Sequence, residues 1–372
     1  MRPLRIGINA LYLIPGGVGG TEIYLRHLLR ALAEIDSENR YFVFTNRETG
    51  PDLVPRQANF IGVRQPVRAS FRPARIAWEQ TALPLAVAAR HIDVLLNPGF
   101  TAPVACGCPQ VTVFHDLQHK RHPEYFRWFD LPFWRFLLYW SAHLSTLLIA
   151  DSEATRRDLE WFYRLPGSRI RVVPLGVDPK FFELARARSP EPFLLSVSTL
   201  HPHKNLDRLL GAFAEFHRAR PEFRLVIAGL RGFDAANLER LRNSLGLADA
   251  VTFTGWIARE KLYELYARAF AFLYPSNFEG FGLPVLEALA TGVPTACLRI
   301  EPLMSTVGDA ALLVDAADDR ALVDAIQRLT SDEALRARLS AAGPARARLF
   351  SWTTTARQTL ATLVEAARDA SR

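Results

Sequence analysis

The sequence predicts an α/β fold built as two Rossmann-like domains, each a doubly wound parallel sheet, following one another along the chain. Three observations carry that expectation. A length of 372 residues suits two domains at ~100–200 residues apiece. From Leu4 to Val177, short apolar runs alternate with amphipathic stretches of helical spacing, as parallel strands joined by crossover helices require. The alternation stops over Asp178–Pro192, a mixed-charge segment with two late prolines, and restarts at Phe193.

Taken in order, Leu4–Leu13 reads as a buried first strand. Arg2 and Arg5 ahead of an apolar stretch also suit a secretion signal. Against that, Asn9 interrupts the stretch, no small-x-small cleavage site follows, and a glycine-rich turn comes straight after. Thr21–Glu34 has Ile23, Leu28, Leu29 and Leu32 at helical spacing. Tyr41–Thr45, Val94–Asn97, Val111–His115 and Thr146–Ala150 are further strands. In the second half, Phe193–Val197, Arg224–Ala228, Ala250–Thr254, Ala271–Tyr274, Thr295–Leu298 and Ala311–Val314 read as strands. Asn205–Arg220, Asn237–Leu245, Arg259–Ala269, Pro284–Ala290 and Asp319–Thr330 are the helices between them, and Trp352–Ala370 is one long amphipathic helix. The expected organisation is a first domain over 1–178, a linker over 179–192, a second domain over 193–349 and a C-terminal helix over 350–372 that packs back toward the first domain.

Composition narrows the function classes. With 49% hydrophobic and 22% charged residues, the chain buries a real core and is not a disordered or low-complexity segment. Three cysteines are too few for a disulfide scaffold and point to a reducing compartment. Cys106-Gly-Cys108 lacks the spacing and the second Cys/His pair of a zinc site. The net charge of +7 sits entirely in residues 1–190, which hold 24 Lys+Arg against 17 Asp+Glu; residues 191–372 hold 21 of each. No Lys/Arg run, zinc-finger spacing or RNP-like stretch accompanies it, which argues against nucleic acid as the partner. Phe136–Ala150 is free of charge but has 15 residues, short of the ~20 needed to span a bilayer. Val94–His115 is broken by Pro98, Gly99, Pro103, Gly107 and Pro109.

Two stretches carry chemistry. Pro15-Gly-Gly-Val-Gly-Gly-Thr21 follows the first strand and opens a helix, so Gly16, Gly17 and Gly19 let the backbone approach a ligand beside a helix N-terminus. It is not a G-x-G-x-x-G fingerprint, and no strand-end acid follows to hold a ribose, so a nicotinamide site is not indicated. A plain tight turn would carry the same glycines. The second stretch, Tyr274–Pro294, places Glu279 in a glycine-bearing loop after a strand and Glu287 inside the next helix. Gly280 and Gly282 bare backbone amides at that helix's start, an anion-binding arrangement. Carboxylates so placed can accept hydrogen bonds from sugar and ribose hydroxyls; a helix cap and a solvated acid would look alike.

Glu279 and Glu287, eight positions apart within P-S-x-x-E-G-F-G-L-P-V-L-E-A-x-A-x-G-V-P, resemble the hallmark of the retaining glycosyltransferases of family 4. Other segments agree with that family in its order: Val113-Phe-His115-Asp116, Asp151-Ser-Glu-Ala-Thr155, Val173-Pro-Leu-Gly-Val-Asp178, Pro202-His-Lys-Asn205, Ala228-Gly229, Phe253-Thr-Gly255 and Val307-Gly-Asp-Ala310. The resemblance implies the GT-B fold, two Rossmann-like domains facing a central cleft, and a nucleotide diphosphate sugar as donor. It gives Lys204 the donor diphosphate, Glu279 the sugar hydroxyls and Glu287 the nucleotide ribose. It brings the amides of Gly280, Phe281, Gly282 and Leu283 to the sugar or diphosphate, and sets Gly229 and Gly255 in the donor site. His115, with Asp116 beside it, is implied near the donor sugar, so His115, Asp116, Lys204 and Glu279 form the expected catalytic set.

One departure stands out. Many relatives carry an arginine at the position of Thr199 or of His203, which together with the lysine clamps the diphosphate. The chain contains no Asp-x-Asp, in keeping with GT-B enzymes, in which lysine and helix dipoles do the work of a metal. The resemblance further implies retention at the anomeric carbon by front-face attack, with no cofactor. The P-x-K-N form around Lys204 looks nearest to bacterial polysaccharide mannosyltransferases, which makes GDP-mannose the expected donor and a UDP-hexose the alternative. A nucleotide-sugar 2-epimerase of the same architecture is the alternative of a different class. The expected acceptor is a glycan or polyprenyl-linked glycan, and the expected place is the cytoplasm, with peripheral contact to an anionic membrane.

That last expectation leans on Lys120–Trp140, which holds nine aromatic residues in 21, with Arg121, Arg127 and Arg135 among them. Tyr125, Phe129, Phe136 and Trp140 approximate one helical stripe. A core helix is the first reading of such a stripe, and an interfacial helix at a membrane or a lipid-acceptor site the second.

Overall fold

Runs rich in Val, Ile, Leu and Phe form two wholly parallel sheets, buried on both faces as parallel sheets are. The computed structural model describes residues 2–17, 19–316, 318 and 320–369. Val18 of the glycine loop, and Asp319 and Ala370 at expected helix ends, lie outside the described residues. The chain divides into two compact units, Met1–Gly176 together with Ser351–Arg372, and Val177–Phe350.

In the first unit the strands are β1 (Arg5–Asn9), β2 (Arg40–Thr45), β3 (Phe60–Arg64), β4 (Val94–Asn97), β5 (Gln110–Phe114), β6 (Leu147–Ala150) and β7 (Ile170–Val172), arranged β3-β2-β1-β4-β5-β6-β7. Register is fixed by pairs such as Ile6 with Tyr41 on one side and with Val94 on the other. β3 and β7 were not legible. β3 is an outer strand whose Gly62 and Arg64 face water, and β7 has three residues, too few to show a period. In the second unit β8 (Phe193–Val197), β9 (Arg224–Ala228), β10 (Val251–Gly255), β11 (Ala271–Tyr274), β12 (Thr295–Leu298) and β13 (Leu312–Val314) run β10-β9-β8-β11-β12-β13. In each sheet the winding reverses once, between β1 and β4 and between β8 and β11. Successive crossovers there leave on opposite sides, which opens a crevice beyond the strands' C-terminal ends.

The segment 179–192, expected as a linker, folds as part of the second unit. Lys180–Leu184 is helical, and Phe181 is fully buried with its ring against those of Tyr263 and Tyr266, 5.0 and 5.2 Å away between centroids. The prolines and charges of a linker are present, but one aromatic anchor decides the packing. The chain re-enters the first unit at Ser351, and the helix Trp352–Asp369 packs on the helix Gly20–Ile35. Trp352 stacks on His27 at 5.1 Å, and Ala356, Thr359, Leu363 and Ala366 are buried along one face.

The aromatic segment departs from its core reading. Tyr125 closes a 3₁₀ turn, Pro123–Tyr125, and the helix starts only at Leu131, so the four-residue stripe is broken. Leu137, Leu138, Ser141 and Ala142 face inward, whereas Phe133, Phe136, Tyr139, Trp140 and Leu144 are exposed. A helix apolar on both sides gives no sequence signal for which side is buried.

Gly229 and Gly255 sit at the ends of β9 and β10, where the Gly229 amide donates to the Gly255 carbonyl (3.2 Å). A Cβ on Gly229, whose φ is 149°, would lie 2.1 Å from the Ser198 carbonyl oxygen, backbone that cannot move aside. At Gly255 (φ 68°) a Cβ meets nothing within 4 Å. We therefore expect Gly229→Ala to lower stability by about 3 kcal/mol or more and Gly255→Ala by about 1 kcal/mol. Urea denaturation of the two variants checks the order, and an equal loss would contradict it.

Candidate functional site

The second unit builds its site at the β8/β11 reversal. The chain leaving β8 supplies Thr199, His203 and Lys204, and the chain leaving β11 supplies Pro275–Gly282. Main-chain and side-chain bonds lock these two connections together. The Asn277 amide (2.9 Å) and the Ser276 hydroxyl (3.3 Å) donate to the His203 carbonyl. The Asn205 side chain donates to the Pro275 carbonyl at 3.0 Å from a left-handed backbone (φ 48°), a conformation asparagine tolerates.

Across this seam the Lys204 ammonium meets the Glu279 carboxylate at 2.5 Å, with the side chains 13% and 11% exposed. The Tyr274 hydroxyl lies 3.4 Å from Lys204 Nζ, and burial together with the Glu279 charge holds its phenol well above the usual range, so it stays a donor. A cation and an anion thus stand nearly dry at one point, each able to exchange its partner for a ligand group. Thr199, in the same connection, is half-buried, and His203 is buried between His201 and Phe278.

The helix Leu283–Ala290 starts from Gly282 in the left-handed region (φ 100°), so the Leu283 amide stands at its N-terminus. The Phe281 ring is buried, edge-on to Phe350, and its carbonyl accepts from Thr306 (3.2 Å). Glu287 is buried inside this helix. Arg259 meets one of its oxygens at 2.9 Å and the Tyr266 hydroxyl donates to the other at 3.1 Å. Tyr263 donates to Asp178, which Arg259 also approaches at 3.8 Å. Burial is the largest influence and would lower the Arg259 pKa, but the charge of Glu287, the contacts with Tyr263 and the hydrogen bond to Glu287 together outweigh it and the shift is upward. Arg259, Tyr263 and Tyr266 were missed in the sequence. Their spacing of four and then three on a helix, Arg259–Arg268, places them on one face, and that was the available signal.

In the first unit the glycine loop follows β1, beside the β1/β4 reversal, where the buried Asn9 amide donates to Asn97 (3.2 Å). Gly16 and Gly19 have positive φ, the Gly16 amide is held by Glu22 at 2.7 Å, Gly17 abuts Ile14, and Cβ atoms on Gly19 or Gly20 would meet nothing within 4 Å. The loop is therefore open on the side of its last two glycines.

His115, just past β5, is clasped from both ends. Its Nδ1 lies 2.6 Å from Asp151 and its Nε2 3.0 Å from the Pro98 carbonyl. A carbonyl only accepts, so Nε2 carries a proton; the Asp151 carboxylate accepts from a protonated Nδ1, and the clasp favours the imidazolium. Thr155 donates to the His115 carbonyl at 3.2 Å, and Ser152 caps the helix that Thr155 belongs to. Burial opposes the charge, but the charge and hydrogen bond of Asp151 raise the His115 pKa above 6.5. Both ring nitrogens are therefore bound inside the unit. Asp116 accepts from the Gln118 amide at 2.9 Å, a turn-forming bond.

Comparison with known proteins agrees in both units. Residues 18–181 match the family described as Glycosyltransferase Family 4, and residues 178–346 match Glycosyl transferases group 1. The chain is 30% identical to the O-antigen chain mannosyltransferase B of Escherichia coli over 67% of this chain and 68% of that protein. It is 31% identical to a D-inositol 3-phosphate glycosyltransferase of Acidothermus cellulolyticus over 95% of this chain and 88% of the other. A sucrose-phosphate synthase from Thermosynechococcus elongatus shares the fold with a TM-score of 0.79 at 23% identity, covering 96% of this chain and 97% of that one.

The His115–Asp151 pair makes stability depend on pH in a definite direction. A histidine raised above its unfolded value stabilises fully below about pH 6.5, and that contribution fades as pH rises through its folded pKa. The stability lost in Asp151→Asn should therefore be greatest between about pH 5 and 6.5 and shrink above. Urea denaturation across that range reads it; a loss that grows with pH would exclude the imidazolium.

Proposed function

The chain belongs to the glycosyltransferases of family 4, and from that premise we propose that it transfers mannose from GDP-mannose, with retention at the anomeric carbon and without a metal ion. The proposed acceptor is a glycan or polyprenyl-diphosphate-linked glycan of cell-surface polysaccharide assembly, met at the cytoplasmic face of a membrane. The observation that carries the reading is the nearly dry Lys204–Glu279 pair at the β8/β11 reversal.

A donor diphosphate takes Lys204 as its counter-cation, and the Glu279 carboxylate turns to hydroxyls of the sugar. As the bond from the anomeric carbon to the diphosphate breaks, Lys204 neutralises the charge that develops on the leaving oxygen. The acceptor hydroxyl attacks from the same face, and its proton passes to that leaving oxygen. The sugar is transferred and the nucleoside diphosphate departs. Each oxygen of Glu287 keeps a lone pair beyond those given to Arg259 and Tyr266, enough to accept from a ribose hydroxyl. The mannosyl choice is supported by the named activity of the Escherichia coli relative.

Lys204→Ala and Glu279→Ala should each lower kcat/KM by about 10²–10³ in protein that still folds, with the thermal midpoint read alongside because each change strands a nearly dry charge. Near-normal turnover in either would refute the site. Thermal shift should show GDP raising the midpoint more than UDP, ADP or dTDP, since only a ligand of the native state stabilises it. A preference for UDP would move the donor to a UDP-hexose. NMR of the donor with no acceptor should show an unchanged sugar or slow hydrolysis; epimerisation would overturn transfer altogether.

A further inference from the structure

The first unit carries a surface that its own fold does not use. Trp128 is 83% exposed, Phe136 59% and Phe129 56%, and Phe133, Tyr139, Trp140 and Leu144 continue the exposure along the outward side of the helix Leu131–Leu144. Contiguous aromatics facing water on this scale mark a surface meant to be covered. Next to it, Arg72 lies over the Trp134 ring at 3.8 Å, which brings exposed Phe71 to the same region. The charges around the patch are Arg72, Lys120, Arg127 and Arg135 against Glu124 and Asp130, so the rim is basic.

We infer that this face seats on an anionic phospholipid bilayer. The helix has 14 residues, about 21 Å at 1.5 Å per residue, well short of the ~30 Å hydrocarbon core. No helix among the described residues is long and apolar enough to cross a membrane. An amphipathic element of this kind lies in the interfacial plane, its inward side held by Leu137, Leu138 and Ala142. Trp and Tyr favour the headgroup level, and arginines beside them meet lipid phosphates. A second copy of the chain would bring the same basic rim against itself, which charge disfavours. The inference rests on the proposed lipid-linked acceptor for its purpose, because docking would hold the unit where such an acceptor is found.

Flotation of the full chain with vesicles of phosphatidylcholine alone, and with phosphatidylglycerol added, tests it. The chain should float with the anionic vesicles and be released by high salt. Trp128→Ser, Phe129→Ser and Phe136→Ser together should weaken partition at least about tenfold. Arg127→Ser and Arg135→Ser should each weaken it about fivefold. The thermal midpoint and the GDP shift of each variant report the fold and the donor site independently of lipid. Failure to float with either vesicle overturns the inference, as does a triple variant that floats as well as the unmodified chain. So does self-association, seen by sedimentation, that the substitutions abolish in place of vesicle binding. If flotation holds while no nucleotide shifts the midpoint, the proposed transfer reaction fails and the membrane surface stands.

Discussion

The candidate site depends on where a parallel sheet reverses its winding. Crossovers leaving on opposite sides cannot cover the strand ends between them, so the β8/β11 and β1/β4 reversals each leave a crevice. The residues with unusual chemistry gather there or along the same C-terminal edge. Lys204 and Glu279 approach from the two sides of one reversal, and the glycine loop sits at the other. Hydrogen bonds from Asn205, Ser276 and Asn277 keep the connections from drifting, so the ion pair is held in place by the fold itself. A preorganised charge of that kind has little reorganisation left to do in a transition state.

Both units solve the same electrostatic problem in the same way. A charge withdrawn from water is tolerated only with a partner and filled hydrogen bonds. Glu287 has Arg259 and Tyr266; His115 has Asp151 and Pro98. Removing one member in either case strands the other, so these residues would matter to the fold even if no sugar touched them. A loss of activity in such variants therefore needs a stability measurement beside it.

Much of this was legible in the sequence. The alternation of apolar runs gave the central strands, and the loop-and-helix pattern around Glu279 and Glu287 pointed to the β8/β11 reversal and to the family. What stayed hidden has physical causes. The Asp151–His115 bond joins residues 36 apart on adjacent strands, and adjacency in a doubly wound sheet is a matter of topology, not of local pattern. Arg259 looked like an ordinary helix-surface charge until Glu287 was found beneath it. Segment 179–192 had the composition of a linker, and one buried ring, Phe181, made it part of a domain. The helix Leu131–Leu144 is apolar on both sides, so periodicity could not say which side faced water.

The helix Trp352–Asp369 closes the first unit although the whole of the second unit separates it from the rest of that unit in the sequence. Synthesis runs from the N-terminus, so the sequence of Val177–Phe350 is complete while the first unit still waits for one of its helices. Until then the apolar side of Gly20–Ile35 that this helix covers stands open to water. Chain order and domain order therefore differ: the first unit is sealed only after the sequence of the second has been made.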